Sequence, residues 1–328
     1  MDLNALIFLV QQMMTFSIPL LIVALGGMFS ERSGVINIAL EGIMIIGAFV
    51  GVLLMYMIQT TGDALTGQLL LMVALIAAAA AGILIALPHG YASIHMKANQ
   101  IISGTAINMF APAFAVYVGR LIRSMVDGLS VQQIPFVNTF FIEKVPLLGD
   151  IPLLGPLFFQ KSFITTYIGF LILAVSWFVL YKTPFGLRLR ACGEHPQAAD
   201  SVGINVYKMR YAGVLISGAL AGMGGLIFVV PTATTFDATV AGYGFLALAV
   251  LIFGQWKPLR ILFAAFFFGL MKTISVAYTS IPFLDALSIP GDVYKMIPFA
   301  ATLIVLAFTS KKSQAPKAAG QPYDQGGR

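Results

Sequence analysis

Charged side chains are scarce in this sequence of 328 residues. They make up 10% of it, whereas a soluble domain carries about 25%. Hydrophobic residues make up 59%, and a water-soluble fold of this length could not keep so much apolar surface away from water. The composition therefore excludes an ordinary soluble protein and predicts an all-α polytopic membrane protein.

Cysteine and catalytic motifs are equally scarce. Cys192 is the one cysteine, so the chain cannot form an internal disulfide. The sequence contains no P-loop, no H-E-x-x-H zinc motif and no G-x-S-x-G nucleophile motif. Its three histidines, His89, His95 and His195, lack the spacing of metal ligands. These absences argue against an enzyme, and we expect no catalytic residue, metal or cofactor in this chain.

The chain does contain a series of long apolar segments. A bilayer core needs about 20 apolar residues per helix. Nine segments are candidates: Ala5–Phe29, Val35–Ile58, Leu69–Leu87, Ile101–Arg123, Phe163–Tyr181, Met209–Pro231, Gly244–Phe253, Leu259–Thr279 and Val293–Thr309. Ser33, Gly34 and Asn37 stand at the start of the second segment and the seventh is short, so these two are candidates for broken or re-entrant helices. We expect about 8–10 transmembrane helices within a domain that covers residues 1–310.

The charges in the loops predict the orientation of this domain. If the loop from Lys182 to Arg210 is cytosolic, the loops on its side of the bilayer hold most of the basic residues, and most acidic residues fall on the other side. Basic loops of membrane proteins face the cytosol. We therefore expect a cytosolic C-terminus. The N-terminus is expected outside for nine crossings, or inside if a broken segment adds a tenth.

Two further regions lie outside the apolar segments. The tail, residues 311–328, is polar and contains Pro, Gly, Gln and Lys, so it is predicted to be a disordered cytosolic end. The loop Ser124–Ser162 carries four prolines yet is apolar, unlike a flexible linker. We expect this loop to pack on the outer surface, where it either receives an external partner or has a structural role alone.

Polar side chains inside the apolar segments are rarer. Asn37 and Glu41 share a helix face if the segment is helical there, because they are four residues apart. A carboxylate in the membrane is costly and faces protein or a water-filled cavity. The pair therefore either anchors one helix to another or lines a translocation path. Lys272, in the eighth segment, either pairs with Glu41 or extends its charged end to the membrane surface. Further polar candidates are Gln11, Gln12, Asn99, Gln100 and Asn108. We predict that Gln100 and Asn108 lie along the path with Asn37 and Glu41.

Small residues recur at helix-packing spacing in two segments. The pairs are Gly47 with Gly51 and Gly218 with Gly222. Glycines four residues apart let helix backbones approach each other closely in lipid. We therefore expect close contacts between helices at both places.

The basic loop, residues 182–208, is predicted to contain a short helix over Gln197–Val202. Pro196 suits the first turn of such a helix, and Gly203 suits its C-terminal cap. Asn205 can then cap the next membrane helix. The short helix is either a simple connector or a docking helix that inserts into a partner.

At this point the residues resemble a known family. The segment Gln197-Ala-Ala-x-x-x-Gly203 resembles the E-A-A-x-x-x-G coupling motif of ABC-importer permeases, although Gln replaces Glu and the further I-x-L-P is missing. This departure points to the branch with the branched-chain amino acid, ribose and nucleoside permeases. Three stretches resemble the nucleoside (guanosine-type) importers: Glu31–Gly42, Gly193–Asn205 and Gly242–Pro258.

The resemblance implies partners and a location. The partners are a cytosolic ATPase that binds the ATP, a second and different permease subunit, and a membrane-tethered solute-binding lipoprotein outside. The location is the plasma membrane of a bacterium. The residues implied in coupling to the ATPase are Glu194, Pro196, Gln197, Ala198, Ala199, Asp200 and Gly203.

Other transport functions remain open from the sequence. A permease for a simple sugar or a branched-chain amino acid belongs to the same branch. A secondary transporter would need buried coupling carboxylates or ion sites, and Glu41 is the one clear candidate.

Overall fold

The computed structural model describes residues 3–62, 65–128, 131–152, 154–280, 287, 289–309 and 314–324. In chain order its helices are α1 (Leu3–Arg32), α2 (Leu40–Thr61), α3 (Gly67–Ile94), α4 (Gln100–Asp127), α5 (Ile164–Lys182), α6 (Pro184–Glu194), α7 (Pro196–Ser201), α8 (Val206–Thr232), α9 (Tyr243–Phe253), α10 (Pro258–Ala277), α11 (Gly291–Lys295) and α12 (Ile297–Thr309). Among the described residues, seven helices are long and apolar enough to cross a membrane: α1 to α5, α8 and α10. The chain is therefore an all-α polytopic membrane protein, as the composition predicts.

Two sides of the bundle can be told apart by their contacts. On the side called here the basic side, the end of α1 meets the loop that contains α6 and α7, since Arg32 lies 3.6 Å from Glu194. On the opposite side, called here the hairpin side, the start of α1 meets the segment 131–163, since the amide of Gln11 donates to the carbonyl oxygen of Pro156. Helix α1 thus runs from the hairpin side to the basic side.

The centre of the bundle is packed through glycines, as their spacing predicts. A Cβ atom on Gly47 of α2 would lie 2.3 Å from the carbonyl oxygen of Gly222 in α8, and one on Gly82 of α3 would lie 2.1 Å from that of Gly218. These distances leave no room for a side chain, so α2 and α3 lie directly against the backbone of α8. Of the seven spanning helices, α8 is the most buried and α4 the least.

Three of the nine sequence segments differ from a simple spanning helix. The second is not helical from its start, because residues 33–39 form a bent connection and α2 begins at Leu40. The seventh is the short helix α9. The ninth is divided at Met296 into α11 and α12. Pro298 explains this division, because proline fits the first turn of a helix and not its interior.

The loop between α4 and α5 packs against the bundle, as its apolar composition predicts. Its strands are β1 (Ile134–Pro135), β2 (Phe141–Lys144) and β3 (Gln160–Phe163), and β4 (Thr235–Phe236) follows α8. β2 and β3 form an antiparallel hairpin, and β1 pairs with β4. Phe140 is fully buried beneath the hairpin.

Residues 314–324 differ from the disordered tail that their composition predicts. The amide of Ala318 donates to the carbonyl oxygen of Gly193 at 2.9 Å, and the amide of Gly320 donates to that of Gly34 at 3.1 Å. The segment therefore packs on the basic side through specific backbone hydrogen bonds, which composition does not reveal. Residues 310–313 and 325–328, which belong to the end of the predicted domain and to the tail, lie outside the described residues.

Candidate translocation path and coupling site

The bent connection between α1 and α2 lies among the spanning helices, where lipid offers no hydrogen bonds to its backbone. Side chains from the neighbouring helices α3 and α4 supply several of them. The side-chain Oε1 of Gln100 accepts from the amide of Ile36 at 2.7 Å, and Nε2 of His89 lies 3.0 Å from the carbonyl oxygen of Ile36. Since that carbonyl can only accept, His89 carries a proton on Nε2.

Asn37 extends these contacts to the central helix. Its Nδ2 donates to the hydroxyl of Ser217 in α8 at 2.9 Å, and its Oδ1 accepts from the amide of Ala39 at 3.1 Å. The side chain is fully buried. Asn37 therefore holds the bent connection against α8 and leaves no exposed polar atom.

Asn108 of α4 completes the set. Its Oδ1 accepts from the amide of Gly42 at 2.7 Å, and its Nδ2 donates to the carbonyl oxygen of Ile38 at 2.9 Å. Gly42 permits this approach, because a Cβ there would lie 2.7 Å from the backbone of Ile107. One amide side chain thus satisfies two backbone groups that no helix satisfies.

Glu41 links the start of α2 to the start of α9. Its two carboxylate oxygens accept from the amides of Gly242 at 2.9 Å and Gly244 at 2.6 Å, which belong to the first turn of α9. The carboxylate also stands in the first turn of α2. Because the N-terminus of a helix carries a partial positive charge, one buried carboxylate stabilises two helix starts.

Helices α2 and α9 lead away from Glu41 toward opposite sides. Near the end of α2, the amide of Gln59 donates to the carbonyl oxygen of Val137 on the hairpin side. Just after α9, the indole of Trp256 donates to Glu31 near the end of α1 on the basic side. The two helices therefore start back to back within the bundle.

The five residues that make these contacts are called the polar brace. They are Asn37, Glu41, His89, Gln100 and Asn108. The sequence leaves open whether Asn37 and Glu41 anchor helices or line a path. In the structure, their hydrogen bonds to Ser217, Gly242 and Gly244 anchor helices to one another. The suggested pairing of Glu41 with Lys272 is wrong, because both residues are described and no ion pair joins them. Backbone amides hold the carboxylate instead.

The short helix in the basic loop forms as its sequence predicts. Helix α7 begins with Pro196 in its first turn, one residue earlier than predicted. Gly203 follows the helix with a φ of +84°, a conformation that glycine adopts at little cost. The side-chain Oδ1 of Asn205 accepts from the amide of Lys208 at 2.9 Å and so caps α8.

The two faces of α7 have different roles. Pro196 and Ala199, three residues apart, are buried, and Ala199 packs in a cluster with Cys192 and Val206. A direct contact of Ala199 with a docking partner is therefore excluded in this conformation. The exposed face consists of Gln197, Ala198, Ser201 and Val202.

The remaining coupling candidates hold the loop in place. Glu194 pairs with Arg32 at the end of α1. Asp200 accepts a hydrogen bond from Tyr323, which raises the pKa of that phenol together with its burial. Gly193 lies so close to Arg32 that a Cβ would be 2.3 Å from its carbonyl oxygen. The loop is thus attached to α1 and to the segment 314–324 as well as to α8.

With the fold and the site described, comparison with known proteins becomes informative. Residues 9–306 match the model of the family described as branched-chain amino acid transport system / permease component. The chain belongs to this permease family. No solved structure matches it.

Three relatives of this permease are informative. It is 44% identical to the guanosine ABC transporter permease protein NupQ of Bacillus subtilis, with 96% of each chain covered. It is 39% identical to the nucleoside ABC transporter permease protein NupC of Lactococcus lactis, with 98% of each chain covered. It is 29% identical to a putative glucose ABC transporter permease protein, TsgC13, of Haloferax volcanii, over 93% of this chain and 94% of that one.

Sequence reasoning missed two parts of this permease. Helix α6 was treated as loop, although Thr183 followed by Pro184 is a recognisable start signal: the Thr183 hydroxyl accepts from the amide of Gly186 at 3.2 Å. The docking of residues 314–324 had no comparable signal. It depends on Arg210, a fully buried residue of α8 whose Nη1 donates to the carbonyl oxygen of Gln321 at 3.0 Å.

Proposed function

We propose that this chain is the transmembrane permease subunit of an ATP-driven importer of nucleosides. The observation that carries the proposal is the identity of 44% to a guanosine ABC transporter permease over 96% of both chains. The second nucleoside permease supports it at 39% over 98% of both chains.

The chemistry of the spanning helices supports a neutral solute. A nucleoside presents hydroxyl and amide-like groups and a flat base, and a path for it needs hydrogen-bonding groups and apolar walls. The described membrane helices supply amides and aromatic rings and few charges. Glu41, the carboxylate of the polar brace, is fully engaged with backbone amides, so it is not available to bind the ammonium group of an amino acid.

The proposed orientation places the basic side in the cytosol of a bacterium. A separate ATPase then docks on the exposed face of α7, where Ala198 and Val202 offer small and apolar contacts. A second permease subunit completes the path, and a solute-binding lipoprotein delivers the nucleoside to the hairpin side. ATP binds to the ATPase, so this chain needs no cofactor.

The contacts of the loop suggest how force reaches the membrane helices. Helix α7 is followed directly by α8, the most buried spanning helix, with Asn205 capping its start. The same loop is attached to α1 through Glu194 and Gly193. A displacement of α7 by the ATPase therefore moves two long helices together.

Transport by the assembled complex tests the proposal. The permease, its partner permease, the ATPase and the binding protein are reconstituted in liposomes, and uptake of labelled guanosine is measured with and without ATP. We expect ATP-dependent uptake that excess unlabelled guanosine or adenosine suppresses and that ribose, glucose or leucine does not. Uptake of a sugar or leucine without any nucleoside would contradict the substrate assignment and leave the permease assignment standing.

The docking surface is tested by a matched pair of variants on α7. Ala198→Arg places a long charged side chain on the exposed face, so we expect a folded complex that has lost ATP-dependent uptake. Gln133→Arg places the same side chain at an exposed position on the hairpin side and should transport normally. Normal uptake by Ala198→Arg would exclude α7 as the docking helix.

A further inference from the structure

A cavity of about 630 Å³ opens on the hairpin side, away from the polar brace. It lies between the start of α1, the β2–β3 hairpin and the end of α8. The lining residues include Phe8, Gln11, Gln12, Thr15, Phe141 and Phe163. Its volume falls within the range of about 300–1,000 Å³ that is usual for small-molecule sites. It is called the outer cavity below.

Aromatic rings form the apolar part of the outer cavity. Phe141 and Phe163 face each other across the hairpin in register, with ring centroids 5.5 Å apart and planes at 72°. Phe8 and Phe141 are 42% and 45% exposed, so part of each ring is accessible. Flat rings held by a β-hairpin are suited to stacking against another flat ring.

Two amide side chains on α1 line the cavity, and they differ in their hydrogen bonding. Gln11 donates to the carbonyl oxygens of Pro156 and Gln160 and so holds the far wall. Gln12 makes no hydrogen bond to any part of the chain that the structure describes. An amide inside a membrane helix is costly without a partner, so Gln12 requires water or a polar ligand in the cavity.

The charge of the lining excludes some solutes. Lys161 is its one charged residue, and no carboxylate is among the lining residues that the structure describes. The ammonium group of an amino acid would therefore find no counter-charge. A neutral molecule with a flat ring and hydrogen-bonding edges fits the rings, the free amide of Gln12 and the hydroxyl of Thr15.

The walls of the outer cavity are connected to the basic loop. Helix α1 carries Gln12 at one end, and at the other end Arg32 pairs with Glu194 of the loop. Helix α8 contributes the cavity residue Pro231 and begins immediately after α7. A displacement of the loop is therefore transmitted to two walls of the cavity, as a binding site in a driven transporter requires.

From this geometry we propose that the outer cavity is a nucleoside-binding site of the permease itself. The base stacks against Phe141, and the Phe163 ring, whose plane lies at 72° to that of Phe141, contacts the base edge-on. The Gln12 amide hydrogen-bonds the polar edge of the base. The site receives the nucleoside before it passes between the subunits. This inference deepens the proposed function and depends on it.

Ligand protection of an introduced thiol tests the site. The reporter is Thr15→Cys, a small change inside the cavity that keeps Gln12. The control is Thr139→Cys in a separate cavity of about 560 Å³ on the same side. Native Cys192 gives little background, because it is buried and burial raises its pKa to about 11. The assembled complex is labelled with a membrane-impermeant maleimide from the hairpin side.

We expect both introduced thiols to react. Guanosine at ten times its half-protecting concentration should slow labelling of Thr15→Cys by about tenfold and leave Thr139→Cys unchanged, and leucine should affect neither. If guanosine protects Thr15→Cys but not the double variant that also carries Gln12→Leu, the edge of the base is bound by the Gln12 amide.

Three outcomes would overturn the inference. They are no labelling of Thr15→Cys, labelling that guanosine does not slow, and slowing by the binding protein alone, which would make the cavity a protein-docking surface. If the wild-type complex takes up guanosine but guanosine does not protect the thiol of Thr15→Cys, the proposed site is refuted and the proposed function stands. Wild-type complex that takes up no nucleoside would refute the proposed function.

Discussion

The polar brace and the outer cavity both place amide side chains inside membrane helices, yet they use them differently. In the brace, Gln100 and Asn108 are bonded to backbone groups of the bent connection between α1 and α2. In the cavity, Gln12 has no partner within the described chain. The difference follows from the backbone nearby. Where the backbone leaves the helical conformation, as in the bent connection and at Pro156, side chains such as Gln100 and Gln11 complete its hydrogen bonds. Gln12 bonds no described backbone group and is free for a solute.

The strongest test of the brace is its carboxylate. Glu41→Leu leaves the amides of Gly242 and Gly244 without acceptors, at about 1–3 kcal/mol each, which is a large part of a typical stability of about 5–15 kcal/mol. We expect most of the folded protein to be lost, as measured by size-exclusion chromatography in detergent. Glu41→Gln keeps one acceptor and should be tolerated better. Glu143→Leu, at an exposed hairpin position, is the control and should fold normally.

The same chemical change at two glutamines sharpens the comparison. Gln100→Leu removes the acceptor of the Ile36 amide, and we expect it to lower the stability by about 1–3 kcal/mol. Gln12→Leu removes no hydrogen bond within the described chain and should leave the melting temperature unchanged or raise it slightly. Thermal unfolding of the purified variants distinguishes the two. Equal destabilisation would mean that the outer cavity is also a structural brace.

Guanosine uptake, unlike stability, should depend on the side chain of Gln12. If Gln12 hydrogen-bonds the nucleoside, Gln12→Leu loses an interaction of about 0.5–1.5 kcal/mol, and the KM for guanosine uptake should rise by about 2-fold to 13-fold. ATP hydrolysis and complex assembly should be unchanged. Gln133→Leu removes an exposed amide outside the cavity, and its KM should equal that of the wild type.

The smallest effect is expected where segment 314–324 covers the basic side. Arg210 is fully buried there, but its Nε and Nη2 have no hydrogen-bond partner among the described residues. Tyr323→Ala admits water to these donors, so its cost in stability should be small. It should also reduce the burial that raises the pKa of Cys192 to about 11, since Cys192 and Tyr323 share one cluster. More thiolate then forms at pH 8, and labelling of Cys192 in detergent should accelerate.

A neighbouring variant separates this effect from loss of charge. Asp324 pairs with Lys97 at 2.8 Å in an exposed position, and exposed pairs contribute little. Asp324→Ala should therefore leave the labelling rate of Cys192 close to that of the wild type. An equal acceleration in both variants would mean that the ion pair, rather than the aromatic ring, holds the segment in place.

Much of the fold was predictable from local sequence. Long apolar runs determine membrane helices because lipid leaves a helix as the simplest way to satisfy the backbone, and glycine spacing indicated where α2 and α8 make close contacts, whereas the contact of α3 through Gly82 was not predicted. Pro196, Gly203 and Asn205 act through their own backbone geometry within a few residues. For that reason α7, its end and the start of α8 were predicted correctly.

Only the tertiary structure decided what the polar residues do. The partners of Glu41 are about two hundred positions away in the chain, at Gly242 and Gly244. Which face of α7 is buried depended on Cys192 and Val206, and the packing of residues 314–324 depended on Arg210 and Gly34. A polar side chain in a membrane needs a partner, and this need can be recognised from the sequence. The identity of the partner depends on how helices that are distant in the chain pack together.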